Sequence, residues 1–234
     1  NNIEKRPEYL EFAKSCIDFS DAHCYDADGR MYFEVAADGT PLRMRRYVFS
    51  ECFACIALAE YAIATGDKAY AHRALDLYQR IVYFLNTPGI LQPKYEPAVQ
   101  ARGHSITMIL INTAARVREA CGERLELEEQ ITRSLSEIER YFMHPEFKCV
   151  LEMVGPEGEL IDTLAGRVIN PGHCIETSWF ILEEARHRGW DKNITDMALT
   201  ILDWSWKWGW DDEFGGIINF RDCRNFPAQD YSQD

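Results

Sequence analysis

Apolar residues recur along the chain at helical spacing, and two kinds of helix alternate. Tyr9, Phe12, Ala13, Cys16 and Phe19 share one face of a first helix predicted over about Glu8–Ala22. Val48–Ala64 is different: it carries charge only at Glu51 and Glu60, so it reads as a helix buried on nearly all sides. Gly66 ends it and Asp67 caps the next, Lys68–Leu85. There Tyr70, Ala74, Leu77, Tyr78 and Ile81 form a stripe opposite His72, Arg73, Asp76 and Arg80. The alternation returns twice. Ser105–Ala120 and Cys174–Arg186 are inner-type, mostly apolar helices; Leu125–Phe142 and Asn193–Trp208 are striped outer-type helices.

The helix pairs are also a repeat. Leu58, Glu60, Asp67, Lys68, Ala74 and Leu75 match Leu182, Glu184, Asp191, Lys192, Ala198 and Leu199 at an offset of about 124 residues. A middle copy aligns Ala59 with Ala115 and Gly66 with Gly122. Helical hairpins repeating every ~60 residues imply a ring or solenoid. Inner-to-outer connections are short (Thr65–Asp67, Gly122–Arg124, Gly189–Asp191). Outer-to-inner connections are long: about Tyr25–Arg45, Asn86–Gly103 and His144–Gly172. The long loops share a face with the N-termini of the inner helices, where a site is expected. Met31–Val35 reads as a strand turning at Asp38-Gly39, Cys149–Val154 as one turning near Pro156–Gly158, and Gly216–Phe220 as a third candidate. The expected class is all-α, a ring or solenoid of helical hairpins with short β-hairpins on the site face.

Composition changes this picture little. Hydrophobic residues make up 47% and charged residues 27% of 234, as in soluble globular proteins. No apolar run reaches the ~18 residues of a membrane span. The net charge of −13 disfavours nucleic acid and anionic membranes as partners. The eight cysteines are scattered; Cys52 and Cys55 form one CxxC without a second pair, so no zinc site is expected. They read as reduced, mostly buried side chains, and hence imply a cytoplasmic protein.

The segment richest in chemistry is Asn170-Pro171-Gly172-His173-Cys174-Ile175-Glu176-Thr177-Ser178-Trp179. His173 opens an inner helix and Glu176 follows one turn later on the same face. A histidine beside a carboxylate can serve as a general acid/base; the alternative is that both merely cap the helix. His104 enters the second inner helix at a position equivalent to His173, either as a second functional group or as a loop histidine. His23, His72, His144 and His187 fall on solvated faces or helix ends. Trp204, Trp206, Trp208 and Trp210 alternate, as a sugar-stacking platform or as packing between hairpins.

Asn-Pro-Gly-His followed by Glu176 and Trp179 resembles the signature of the N-acylglucosamine 2-epimerase family. Arg46-Tyr47-Val48-Phe49-Ser50-Glu51, Gly209-Trp210-Asp211 and Gly215-Gly216 resemble it too, so the likeness runs over nearly the whole chain. It implies an (α/α)6 barrel and a cofactor-free isomerase that inverts C2 of a free N-acylhexosamine or related aldose. His173 would be one acid/base histidine, tuned by Glu176; Arg46, Tyr47, Glu51, His104, Asn170 and Trp179 would bind substrate. The second histidine would lie in a segment beyond Asp234. The family's arginine on the first inner helix is replaced here by Ser50-Glu51-Cys52, with Arg46 as candidate substitute. Counted against the barrel, the chain holds about three and a half of six hairpins. It is thus expected to be part of one larger domain, lacking its C-terminal portion and inactive alone. A homodimer is compatible with this reading. Three alternatives stay open: an aldose–ketose isomerase of the same fold; a glycosidase or lyase recruiting Glu51, Glu176 and Asp211; and a non-catalytic interaction protein, since the family includes a renin-binding protein.

Overall fold

The structure, a computed structural model, describes residues 4–44, 47–91 and 100–227. Arg46 and residues 92–99 of the long loop Asn86–Gly103 lie outside the described residues. The chain divides into two compact units: residues 1–96 with 112–129, and residues 97–111 with 130–234.

The first unit begins with α1 (Pro7–His23), started by Pro7 at its first turn. A hairpin of β1 (Tyr32–Val35) and β2 (Pro41–Met44) follows, turning where Asp38-Gly39 requires it. Gly39 sits at φ +86°, in the left-handed region that favours glycine, and its N–H donates to the Ala36 carbonyl. Next come α2 (Phe49–Thr65), closed by Gly66 in a left-handed cap, and α3 (Lys68–Asn86), capped by the Asp67 carboxylate on Ala69 N–H. Helix α2 packs against α1 and α3. Cys52, Cys55, Leu58, Ala59 and Ala62 are buried, but Phe53 and Ile63 are exposed, so α2 is not covered on nearly all sides as its composition suggests.

Two helices contribute to both units: α4 (His104–Cys121) and α5 (Leu125–Glu137). The second unit adds α6 (Pro171–His187) and α7 (Lys192–Gly209), a closely packed pair. A π-helical turn at Ile138–Phe142 extends α5 to the Phe142 end expected from the sequence.

The loops between these helices fold into two-residue strands, and here the sequence reading needs correction. Cys149–Val154 does not form one hairpin about Pro156–Gly158. With β3 (Arg102–Gly103), β4 (Met143–His144), β5 (Cys149–Val150) and β6 (Met153–Val154) named, β5 pairs with β4 and β6 with β3. The break falls at Leu151-Glu152, whose N–H groups donate to the Phe142 and Val168 carbonyls instead. The third candidate strand is also displaced: β7 (Val168–Ile169) pairs with β8 (Arg221–Asp222), and Gly216–Phe220 supplies only a bridge from Ile217 to Trp210. An ion pair from Arg167 to buried Asp222 holds β8 in place.

Candidate active site

Helix α6 begins where three local preferences coincide. Asn170 is extended, and its side-chain oxygen accepts from the His173 N–H at 3.1 Å. Pro171 occupies the first helical turn, where a missing N–H costs nothing. Strand β7, immediately before, is pinned to β8. The cap is therefore Asn170, not His173 and Glu176, which leaves the His173 ring free for other work.

That ring finds a partner the sequence reading overlooked. Glu152 places Oε1 and Oε2 at 3.1 and 3.2 Å from His173 Nδ1. Its Oε1 also stands 3.6 Å from Nδ1 of His104, a charge contact rather than a formed hydrogen bond. The backbone of Glu152 is clamped on both sides: its N–H donates to Val168 O at 3.1 Å, and its carbonyl accepts from His104 N–H at 3.0 Å. One residue thus ties the first residue of α4 to the strand that leads into α6. The signal was a lone carboxylate in the otherwise apolar Cys149–Val154.

The two histidines differ in access. His104 is fully buried, packed on Phe142 with ring centroids 5.5 Å apart, and its Nε2 lies 3.2 Å from Thr177 Oγ1. It stands behind Glu152 with its side chain enclosed, although the sequence reading placed it among candidate sugar contacts. The His173 side chain is 41% exposed, and among the described residues its Nε2 makes no hydrogen bond. Thr177, one turn after His173 on α6, also donates to the His173 carbonyl at 2.8 Å.

The electrostatics follow from this geometry. Burial pushes the Glu152 carboxyl pKa up, but the facing His104 and His173 overcome it and hold the group at about 2. The Glu152 hydrogen bond raises His173 above its ordinary value; burial opposes this, and the charges of Glu152 and then Glu176 reinforce it. The N-terminus of α6 disfavours an imidazolium by about 0.3–1 kcal/mol. A hydrogen bond involving a charged group is worth about 1.5–3 kcal/mol, which explains the upward direction. Glu176 is half-buried and acts on His173 through its charge alone.

The other candidates are placed as follows. Trp179 is exposed on α6, and Asn170 is buried in its capping role. Glu51 and Tyr47 belong to the first unit. Glu51 is fully buried; its Oε1 accepts from Arg30 Nε at 2.6 Å and Met31 N–H at 2.9 Å, anchoring the start of the β1–β2 hairpin. The Tyr47 carbonyl accepts from the same Arg30, and its ring meets Phe49 edge-on. His144, read as solvated, is buried against Phe147 and bonded to Glu146, because the β4–β5 turn folds over it. Of the tryptophans, Trp206 and Trp210 are exposed and stack on each other at 5.2 Å, while Trp208 donates to the Lys148 carbonyl. Asp211 is occupied by the N–H groups of Glu213 and Phe214. Among the described residues, no group of three or more His, Cys, Asp or Glu could hold a metal, and no helix is long and apolar enough to cross a membrane.

Comparison with known proteins gives a consistent picture. The sequence model of the N-acylglucosamine 2-epimerase family matches residues 1–233. The N-acylglucosamine 2-epimerase of Bos taurus is 30% identical over 228 residues, 94% of this chain and 53% of its own. That of Homo sapiens is 30% identical over 84% of this chain and 47% of its own. The chain spans about half the length of the curated relatives it matches. Among solved structures, cellobiose 2-epimerase from Bacillus thermoamylovorans superposes with a TM-score of 0.79 at 18% identity, over 93% of this chain and 59% of that one. A sugar epimerase from a ruminal bacterium gives 0.75 at 20%, with the same coverage. A GH76 α-mannanase from Bacteroides thetaiotaomicron gives 0.68 at 12%. At such identities these likenesses show the fold, all-α and of the (α/α)6-barrel kind.

Proposed function

The chain belongs to the N-acylglucosamine 2-epimerase family, and from that premise we propose that its protein is a sugar 2-epimerase acting on the open-chain form of an N-acylhexosamine or related aldose. The observation that carries this reading is the state of His173: gripped at Nδ1 by Glu152, with Nε2 making no hydrogen bond among the described residues and the side chain partly exposed.

The chemistry is a proton transfer at carbon. Opening the sugar ring exposes a C1 aldehyde, which acidifies the C2 hydrogen. Nε2 of His173 takes that proton. The C2–H electron pair becomes the C1–C2 double bond, and the carbonyl pair moves onto O1, giving an enolate (an enediolate where C2 carries a hydroxyl). A proton delivered to the opposite face of C2 completes inversion; one returned by His173 restores the starting sugar. His104 is buried behind Glu152 and does not serve as the opposite-face group. Family resemblance implies a second histidine for that role.

A glycosidase reading finds less support. Glu51 is committed to Arg30 and Asp211 to its own loop, so neither is a ready partner for Glu176. The test is to incubate full-length protein with an N-acylglucosamine and cellobiose, the sugars named by its relatives, and with glucose, and read products by proton NMR. A C2 epimer is expected, lost in His173→Ala. A ketose would move the assignment to an isomerase; hydrolysis of cellobiose, or activity unchanged in His173→Ala, would overturn it.

A further inference from the structure

We infer that Glu152, seated between His104 and His173, is the positioning residue that keeps the His173 proton on Nδ1 and turns Nε2 toward the substrate. The inference rests on the proposed role of His173 and adds to it the residues that make that role specific.

A neutral imidazole carries one proton, and its two tautomers present opposite faces to a reactant. Only the Nδ1–H tautomer leaves a lone pair on Nε2, where a base must have it. Both carboxylate oxygens of Glu152 lie within hydrogen-bond distance of Nδ1, so a lone pair there would face an anion. The tautomer is thus set by geometry, as an orienting carboxylate sets it in other acid/base sites.

What holds the carboxylate is also visible. Its main chain is bonded to β7 on one side and to the first residue of α4 on the other. Behind it stands the fully buried His104 ring, whose Nε2 meets Thr177 Oγ1. Thr177 in turn is bonded to the His173 carbonyl. His173, Glu152, His104 and Thr177 therefore close a loop of contacts, in which His173 is the most exposed member. Among the described residues, the charged groups acting on the His173 ring are Glu152 and Glu176.

Imidazole NMR with 15N-labelled histidine tests this in the full-length protein. In the wild type, neutral His173 should show a protonated Nδ1 and an unprotonated Nε2. Glu152→Gln should shift the ring toward a mixture of tautomers and lower its pKa. It should also cut kcat on the order of 100-fold while KM changes little. Thr177→Val should loosen the tautomer preference more weakly, and Thr177→Ser should restore it, giving a second reading should Glu152→Gln fold poorly. An unchanged tautomer in both Glu152→Gln and Thr177→Val would overturn the inference. The tautomer is read without turnover. A correct tautomer in a protein that never exchanges C2–H would therefore sink the epimerase reading and leave the positioning role standing.

Discussion

Glu152 shows both what a residue pattern reveals and what it hides. The sequence pointed to His173 because a histidine after Asn-Pro-Gly opens an inner helix, and it offered Glu176 as the tuning carboxylate because the two share a helix face. The structure gives the hydrogen bond to Glu152 instead, 21 residues earlier in the chain. Helical spacing cannot find such a partner, since loop folding alone brings it there. His144 was misread for the same reason: its burial comes from the β4–β5 turn. The Glu152–His173 pair has a pH signature. Its Glu152 part is present above the ordinary carboxyl value of 4.5 and lost as pH falls through about 2. Its His173 part is present below 6.5 and lost as pH rises through the raised value. The Tm difference between wild type and Glu152→Gln should therefore be largest between pH 4.5 and 6.5 and shrink above it; a difference that grew through pH 8 would contradict the pairing. For the same reason, activity that requires neutral His173 should rise with pH through a midpoint above 6.5. Glu152→Gln should move that midpoint down.

Among the elements, the helices and the β1–β2 hairpin were legible and the two-residue strands were not. Each helix is specified by its own apolar stripe, cap and stop, so observed ends agree with expected ones to within a few residues. Two of the three two-residue pairs join loops distant in sequence: β3 meets β6, and β7 meets β8. The packing of α7 against the start of α6 explains one motif. A Cβ at Gly209 would lie 2.5 Å from Pro171 Cβ and 3.2 Å from Ile217. Gly209→Ala gains at most about 1 kcal/mol of helix propensity. The overpacking, against a rigid proline ring, costs about 1–3 kcal/mol. The net effect expected in denaturant unfolding is a loss of stability, with His173 displaced and activity lowered; a stabilised, fully active variant would contradict the packing argument. Asn170→Ala removes the α6 cap and should cost about 1 kcal/mol. Core and surface also separate cleanly. Ile81 is fully buried on α3, and Ile81→Ala should cost about 2–5 kcal/mol. Phe53→Ser, at an exposed position of α2, should stay within about 0.5 kcal/mol.

For the molecule as a whole, the internal repeat pointed to a ring or solenoid of helical hairpins, and the family resemblance to the barrel. Inner and outer helices alternate at a repeat of about 60 residues, and that pattern survives where any single motif would be weak. The family match and the superpositions on sugar epimerases agree with it. An apolar groove of about 580 Å³ runs along α1 and α2, with Phe12 beside it 71% exposed. Substrate identity was not legible, because it depends on side chains arranged by loops rather than on periodicity. The central claim concerns one proton, and deuterium wash-in at C2 tests it most directly. Inversion needs two acid/base groups, but exchange needs only one, so wash-in isolates His173 from whatever serves the opposite face. In D2O, the full-length protein should place deuterium at C2 of an N-acylglucosamine, and His173→Ala should lose this by at least on the order of 100-fold. Sugar recovered without deuterium at C2, or labelled equally fast by His173→Ala, would contradict the assignment.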